Sequence, residues 1–470
     1  MSAYLASKGL GVIRQTLFNA LFGTGPEATA YYAAFRLPDM FLNLIAGGAL
    51  TQAFIPVFLS YERDHSQRAV WRLTSLVFNV MLVSLTAFVL VSELLAPTFV
   101  NTILVPGLPP AQRALTTTLT RIILVYPLII GLGTIATAVL NGKRQFLLPA
   151  LSLALYDIGL IGGLLIALAI PGVGIYGPTF GLLASAICQV AVLIPGLRKQ
   201  GAHYTFLWDL HEPGLREVMR LLIPNVLAIG IGSAAIIVDT SFASYLPDRS
   251  SIAAMQNASM LFNFPLTFVA QAVGQALLPQ ITIQATNQHY VRMRQTLLKI
   301  VGASVLLSIP AAIFLYVLGK PAIRLLFQHG AFTAHASTLT TTALLGYAVG
   351  LPGLTAEGLL ILCFYALKDA RTPLLTNIAA LATRVGLIVL LLQMLTGSKY
   401  GILAIPLAAS MTSTAQAALL CLILLIRLRT KVKSDKGMQR LQRRWENVKR
   451  RKTRTEHLTH EQKSEEETAF

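Results

Sequence analysis

Three cations near the N-terminus are the residues of this sequence best placed to bind an anionic ligand. Lys8 and Arg14 lie inside the first apolar stretch, and Arg36 stands just before the second. An ionisable group in a membrane helix costs at least ~3 kcal/mol on insertion scales, so it usually faces a cavity, pairs, or reaches the interface. Guanidinium and ammonium groups both bind phosphate oxygens. The three cations therefore predict a lining for a pyrophosphate, with snorkelling to the interface as the alternative for each.

Further ionisable residues interrupt later apolar stretches. Asp239 and Arg384 lie at a similar depth by residue count, which predicts a buried ion pair with either a structural role or a role in ion coupling. Glu357 lies in a stretch broken by glycine and proline, and is either a protonatable switch or a carboxylate that satisfies a helix kink. Asp157 and Arg121 are expected to pair within the first half of the chain.

The composition shows which kind of protein carries these charges. Of 470 residues, 54% are apolar and only 12% are charged, whereas about 25% are charged in soluble proteins. The chain therefore has too little polar surface for a soluble globule, and we predict a multi-pass membrane protein. The cysteines and histidines show no metal-ligand spacing, and the loops contain no nucleophile and base pair or phosphate loop. We expect no enzyme activity, cofactor or metal.

The positions of the apolar stretches predict an all-α fold with about twelve transmembrane helices. A helix crosses the hydrocarbon with about 20 mostly apolar residues. The predicted spans 1 to 12 are residues 4–22, 37–59, 74–96, 115–140, 147–170, 176–196, 218–245, 251–283, 298–318, 338–366, 374–396 and 401–426.

The basic residues predict the orientation of these spans. With the N-terminus in the cytoplasm, the inner loops hold 14 lysines and arginines and the outer loops hold 5. This bias follows the positive-inside rule and places both termini in the cytoplasm. Residues 427–470 form a basic tail, expected to be disordered or partly helical, that fits a membrane surface better than a nucleic acid.

An internal duplication divides the spans into two halves. Residues 52–56, Gln-Ala-Phe-Ile-Pro, return as Gln-Ala-Leu-Leu-Pro at 275–279, and Pro149 returns as Pro373, at offsets of 223 and 224 residues. An even number of spans separates equivalent positions, so the halves are parallel repeats. We predict an N-terminal six-helix lobe (1–200), an inter-lobe linker (201–217), a C-terminal six-helix lobe (218–426) and a central cavity between the lobes.

Several motifs, read in chain order, resemble one known family. Residues 7–14 (SKGLGVIR) resemble the SRxLGxxR opening of the MurJ (MviN) lipid II flippases, within the multidrug/oligosaccharidyl-lipid/polysaccharide exporter superfamily. The resemblance continues at 22–25, 34–38, 48–56, 238–239, 243–247, 265–266, 328–333, 350–352 and 364–373. It implies a two-lobed bundle that moves a polyprenyl-pyrophosphate-linked peptidoglycan precursor from the inner to the outer leaflet by alternating access. It also implies that Lys8 and Arg14 are cavity cations and that Asp239 matches an acid of a sodium site in some members.

The sequence departs from the family pattern at positions expected to be functional. Relative to the usual family residues, Gln15 replaces an acid, Thr29 an aspartate, Leu42-Asn43 two basic residues, Gly47 a glutamate and Met260 a cavity arginine. Arg384 stands where sodium-using relatives carry an amide, so a fixed guanidinium is expected to replace the bound cation. This chain is expected to be a divergent member without the two further helices that the family usually has after span 12.

The sequence is compatible with three functions. The first is a lipid II flippase of the bacterial cytoplasmic membrane, with lipid-linked glycan and membrane lipids as partners. The second is a flippase or exporter for another anionic lipid-linked glycan. The third is a transport-inactive scaffold or regulator that meets cell-wall synthesis proteins through the basic tail.

Overall fold

The computed structural model describes residues 2–45, 49–287, 290–367, 369, 371–395 and 400–429. Within α1, α3, α4, α9 and α10, it leaves undescribed the side chains of 2–8, 45, 49, 51–52, 224–225, 227–229, 268–272, 274–276 and 278. The predictions for the Lys8 side chain, for Gly47, for the Gln52 and Gln275 side chains and for the tail from residue 430 therefore fall outside the described residues.

All regular structure in the described ranges is helical. The helices are α1 (Ser2–Phe22), α2 (Pro26–Ala34), α3 (Arg36–Ile45), α4 (Ala49–Asp64), α5 (Gln67–Phe99), α6 (Pro110–Gly142), α7 (Leu147–Ala169), α8 (Tyr176–Lys199), α9 (Pro213–Ser244), α10 (Ser251–Thr286), α11 (Tyr290–Phe327), α12 (Ala334–Val349), α13 (Leu351–Ala366), α14 (Arg371–Leu395) and α15 (Gly401–Arg429). A π-helical turn, Val100–Leu104, extends α5, and a 3-10 turn, Gly401–Leu403, opens α15.

These helices follow the predicted spans in order, which confirms the all-α membrane fold. Seven helices in the described part of the chain are long and apolar enough to cross a membrane: α5 with its π turn, α6, α7, α8, α11, α14 and α15. The pair α12 and α13, with a bend of 50° between the two helices, is together long and apolar enough for an eighth span. The other four predicted spans correspond to α1, α3 with α4, α9 and α10, each of which includes side chains outside the described set.

Two local features differ from the simple picture of one helix per span. The predicted span 37–59 is divided between α3 and α4. The residues left between spans 1 and 2 include α2, a short helix with four fully buried alanines, Ala28, Ala30, Ala33 and Ala34. Small side chains let α2 pack closely against α6 and α10. A hydropathy reading passes over such a helix because it is too short to span a bilayer.

The bend between α12 and α13 lies at Gly350, next to Pro352 at the start of α13. A Cβ atom at Gly350 would lie 2.3 Å from the Ser410 hydroxyl on α15, so only glycine permits this contact. The position 223 residues earlier is Pro127, inside the continuous helix α6. The two halves therefore share a helix-distorting residue at the same point but differ in how far the helix breaks.

Contacts between segments sort into two ends of the bundle. At the end that the predicted topology places in the cytoplasm, called the inner end below, Lys143 pairs with Glu62, Arg72 with Asp209, and Arg427 with Asp369. At the outer end, Asp248 pairs with His335, Gly107 contacts Ser244, and Ala331 donates a backbone hydrogen bond to Ala20. Each contact joins segments that the predicted topology places on one side of the membrane.

The buried apolar residues form three clusters that differ between the two ends. The outer cluster contains residues from both halves of the chain, from Phe18 on α1 to Ala408 on α15. The inner end has two separate clusters. One spans residues 37–222 and the other residues 277–428. One cluster therefore joins both halves at the outer end, whereas the inner end has two separate clusters, the first of which also contains Val218 and Leu222 at the start of α9.

Candidate functional site

Arg14 lies on α1 and forms an ion pair with Asp157 on α7. The Nη1 atom of Arg14 is 3.2 Å from Asp157 Oδ1, and its guanidinium carbon is 5.2 Å from the centroid of the Tyr156 ring. The Arg14 side chain keeps 21% of its exposure, whereas that of Asp157 keeps 8%. Arg14 is thus directed into the first half of the chain, and its charge is balanced there.

The partners of Asp157 and Arg121 differ from a direct pair between them. Asp157 binds Arg14, and Arg121 Nε lies 3.8 Å from Glu93 Oε2 on α5. Each therefore pairs within the first half, but with another residue. Residue counting could not distinguish these partners, because it gives depth along a span and not the direction that each helix faces.

Arg36 connects the two halves of the chain. Its Nε donates a hydrogen bond of 3.0 Å to Thr240 Oγ1 on α9, and Thr240 in turn donates to the carbonyl of Ile236. Asp39, one turn further along α3, and Asp239 are the acids that act on its charge. The guanidinium is thus held against the second half of the bundle.

Asp239 on α9 and Arg384 on α14 form a bidentate ion pair. Arg384 Nε donates to Asp239 Oδ1 at 2.8 Å, and the Nη2 group binds Oδ2. The two side chains keep 9% and 16% of their exposure. Paired N–H donors fit the two oxygens of a carboxylate and make this a strong, oriented contact.

Glu357 on α13 lies close to this pair. Ser413 on α15 donates to its carboxylate, and Arg384 acts on its charge. Arg36, Asp239, Arg384 and Glu357 thus form a charge row, in which cations and acids alternate from α3 across α9 and α14 to α13. The charge row has no formal net charge, because two cations face two acids.

A group of neutral side chains between the halves completes the site, and the sequence reasoning did not predict it. Gln15 Nε2 donates to the Tyr32 hydroxyl at 2.6 Å and to Asn257 Oδ1 at 2.8 Å. Asn19 Nδ2 donates to the same Asn257 oxygen at 2.8 Å. We call Gln15, Asn19, Tyr32 and Asn257 the amide cluster; all four are buried. The available signal was the pair of amides four residues apart on span 1, which share a helix face.

The outer end is closed by contacts in which a backbone group of one half meets the other half. Gly107 N donates to Ser244 Oγ at 3.0 Å, and Thr29 Oγ1 donates to the carbonyl of Arg249 at 3.0 Å. A Cβ atom at Gly107 would lie 2.4 Å from the Ser244 carbonyl oxygen, and one at Gly23 would lie 2.3 Å from that of Ala331. Gly23 also has a φ of +57°, which favours glycine.

Towards the inner end, α1 becomes more exposed. Phe18 and Asn19 are buried between the halves, whereas Gly9 and Ile13 are exposed. Arg14 and the amide cluster therefore lie between the buried outer part of α1 and its more exposed inner part. Among the described residues, no group of three or more His, Cys, Asp or Glu is placed to hold a metal ion.

Comparison with known protein families adds a second line of evidence. Residues 18–442 match the family model described as lipid II flippase MurJ. A probable lipid II flippase MurJ of Rhizobium tropici is 29% identical over 398 residues, which cover 84% of this chain and 74% of that protein. The lipid II flippase MurJ of Burkholderia cenocepacia is 28% identical over 386 residues, covering 80% and 74%.

Solved structures show the same fold. The lipid II flippase MurJ in its inward closed conformation superposes with a TM-score of 0.75 at 24% identity, covering 91% of this chain and 86% of that one. An inward-facing multidrug resistance MATE family transporter of the MOP superfamily superposes with a TM-score of 0.76 at 14% identity, covering 89% and 96%.

Proposed function

The chain belongs to the lipid II flippase MurJ family, and from that premise we propose that it moves lipid II from the inner to the outer leaflet by alternating access. It is a multi-pass protein of the inner membrane, in a family of transporters. We further propose that both termini are cytoplasmic, that residues 1–200 and 218–426 are the two moving lobes, and that the chain has no enzyme activity.

The observation that carries the proposal is the difference between the two ends of the bundle. One apolar cluster at the outer end contains residues of both halves, whereas the inner end has two separate clusters, the first of which includes the start of α9 with the first half. Separate cores can move apart without breaking either one, whereas a shared core resists separation because interiors are close-packed. This arrangement supports an inward-facing state that receives substrate from the inner leaflet.

Arg14 is the cation that we propose binds the pyrophosphate, together with Lys8. A guanidinium has five N–H donors, and the contacts with Asp157 and Tyr156 use part of them. A pyrophosphate offers more charge and more oxygens than one carboxylate, so it would compete for Arg14. Asp157 would then hold the guanidinium in position in the absence of substrate.

Arg36 and the charge row are proposed to couple substrate binding to lobe movement. Arg36 belongs to the first half but donates to Thr240 of the second half, so any rotation of the lobes changes its partner. The Asp239 and Arg384 pair lies within the second half and is expected to survive that movement. Glu357 beside them is the group that would take up a proton if transport were proton-coupled.

The balanced charges also favour one competing function. Arg14 is paired with Asp157, and Asp239 is paired with Arg384, as in a bundle whose ionic groups are structural. A transport-inactive scaffold that meets cell-wall synthesis proteins through residues 427–470 would need no more than this. Transport of another anionic lipid-linked glycan would use the same cations.

A replacement experiment tests these functions. This chain would replace the lipid II flippase of a bacterial host, and precursor translocation would be followed in spheroplasts. We expect translocation by the wild-type chain, its loss in Arg14→Ala, and its retention after deletion of residues 431–470. A scaffold predicts the reverse for the two variants. Growth without precursor translocation would contradict the flippase proposal.

A further inference from the structure

The inter-lobe linker lies across the inner end of α5 as an extended strap. We call residues 202–210 the strap; residues 202–209 form neither helix nor turn. The Tyr204 hydroxyl donates to Asn79 Oδ1 at 2.7 Å, and Asn79 Nδ2 donates to the carbonyl of Leu207 at 2.9 Å. Ser75 Oγ accepts from the backbone of Thr205 at 3.2 Å. These contacts fix the strap on α5.

A cavity of about 380 Å³ lies beneath the strap. Its walls are mostly apolar and include Trp71, Phe78, Ile135, Val139 and Tyr204. Cavities that hold small ligands measure about 300–1,000 Å³ and have mostly apolar walls with few polar groups. The size and lining of this cavity suit an aliphatic ligand.

The depth of the cavity matches the inner leaflet. It reaches from Trp71, just before the predicted membrane span of α5, to Leu132 on α6. Leu132 lies eight residues inside the predicted end of its span, or about 12 Å at 1.5 Å per residue. Half of the hydrocarbon core is about 15 Å thick. The cavity therefore extends from the interface along most of one leaflet.

The strap has the side chains of a membrane interface. Tyr204, Phe206 and Trp208 are exposed by 58%, 77% and 52%, while Leu207 and Asp209 between and beside them are less exposed. Aromatic residues of this kind concentrate where hydrocarbon meets headgroups. The exposed row is therefore expected to lie in the headgroup region.

Basic residues directly follow two lining residues of the cavity in the chain, Arg72 after Trp71 and Arg198 after Leu197. Arg198 and Lys199 end α8 directly before the strap, and both are exposed. Arg68 and Arg72 lie on the first turns of α5, where Asp209 is the partner of Arg72 at 3.5 Å. Each basic residue near a membrane surface contributes about 1 kcal/mol to the attraction of anionic lipids.

We propose that this cavity binds one acyl chain of an anionic phospholipid of the inner leaflet, with its headgroup at Arg198 and Lys199. The site is separate from the charge row and the amide cluster, so it goes beyond the proposed transport of lipid II. It lies under the segment that joins the two halves. The bound lipid would therefore stabilise the strap against α5. Because the strap is part of the linker, this would limit how far the linker lets the two lobes separate.

Tryptophan fluorescence tests the proposal directly. The chain has three tryptophans, Trp71, Trp208 and Trp445, and Trp71 lines the cavity with only 7% of its surface exposed. The double variant Trp208→Phe/Trp445→Phe leaves Trp71 as the only reporter. The full chain would be reconstituted in phosphatidylcholine bilayers that contain phosphatidylglycerol with brominated acyl chains, which quench tryptophan on contact. We expect loss of Trp71 fluorescence, which brominated phosphatidylcholine at the same mole fraction does not produce.

Matched variants separate cavity binding from general lipid contact. Ala136→Phe and Ala202→Leu fill the cavity from two sides, and either should restore Trp71 fluorescence. As a control, each filling variant is also made in a chain that keeps only Trp208. Trp208 should remain quenched in both Ala136→Phe and Ala202→Leu, which shows that these variants are folded and inserted in the bilayer. Arg198→Gln/Lys199→Gln should weaken the preference for phosphatidylglycerol about fivefold per charge, from about 1 kcal/mol each. Unquenched Trp71, equal quenching by both lipids, or quenching unaffected by both filling variants would overturn the proposal.

Discussion

Replacing Arg384 with asparagine should make the stability of the protein depend on sodium, whereas we expect sodium to have no effect on the wild type. In the wild type, Nε and Nη2 of Arg384 bind both carboxylate oxygens of Asp239, so the guanidinium lies where a cation bound by this carboxylate would have to lie. Arg384→Asn removes that charge and supplies an amide oxygen, the group that the family resemblance places there in sodium-using members. Asp239 and the amide would then offer oxygen ligands to a sodium ion.

The size of the effect follows from burial. Asp239 and Arg384 keep 9% and 16% of their side-chain exposure, so this is a buried pair. Removing one partner of a buried pair costs about 3–5 kcal/mol, because the other charge remains uncompensated. Arg36 also acts on Asp239, so we expect the lower end, about 3 kcal/mol. Sodium at about 100 times its dissociation constant would return about 2.7 kcal/mol of that loss.

Thermal unfolding of the purified protein in sodium chloride and in choline chloride at equal ionic strength measures this effect. The wild type should unfold at the same temperature in both salts, and Arg384→Asn should unfold at a higher temperature in sodium. The double variant Asp239→Asn/Arg384→Asn is the control, since it lacks the buried carboxylate and should ignore sodium. The reasoning would be refuted if sodium stabilised the wild type and Asp239→Ala abolished that effect. It would also be refuted if Arg384→Asn were no less stable than Asp239→Asn/Arg384→Asn.

Three further outcomes follow from the contacts of the site. Asp157→Asn should preserve most of the transport that Arg14→Ala abolishes, as measured by translocation in spheroplasts. Equal loss of transport in both variants would contradict the proposal that Arg14 binds the substrate and Asp157 does not. Asn257→Leu removes the shared acceptor of the amide cluster and should cost about 1–3 kcal/mol, measured by unfolding, because buried donors lose their partner; an unchanged stability would contradict the hydrogen bonds described. Partial burial acts to raise the pKa of Asp369, but hydrogen bonds from Thr372 and Arg427 hold that pKa below its usual value. Stability from Asp369 should therefore be present above pH 3.8 and fall as the pH drops through the lower folded-state pKa, and an Asp369→Asn protein should lack this acid-sensitive component in unfolding titrations.

The sequence predicted the features that depend on local pattern. Apolar length located the spans, and equal depth along two spans brought Asp239 and Arg384 together as partners. The partners of Arg14 and Arg121 were harder, because they depend on which faces of α1, α5, α6 and α7 meet.

The amide cluster was missed for a related reason. Gln15, Asn19 and Asn257 carry no charge, so each lowers the hydropathy of its span only slightly. Their importance comes from meeting across the two halves, 238 and 242 residues apart in the chain. No periodicity within one span reports such a meeting, and single-sequence reasoning therefore found the ionic part of the site but not its neutral part.

At the outer end of this protein the backbones of the two halves approach each other closely at glycine residues. Adding a side chain at one of these glycines should therefore destabilise the closed outer end. At Gly107 and Gly23 an added methyl group would collide with a carbonyl oxygen at 2.4 Å and 2.3 Å. The single added carbon of Gly107→Ala would thus destabilise only the state in which the outer end is closed. The population should shift towards the state in which the outer end is open. Such a variant would enrich the outward-open state for structural study without a bound inhibitor.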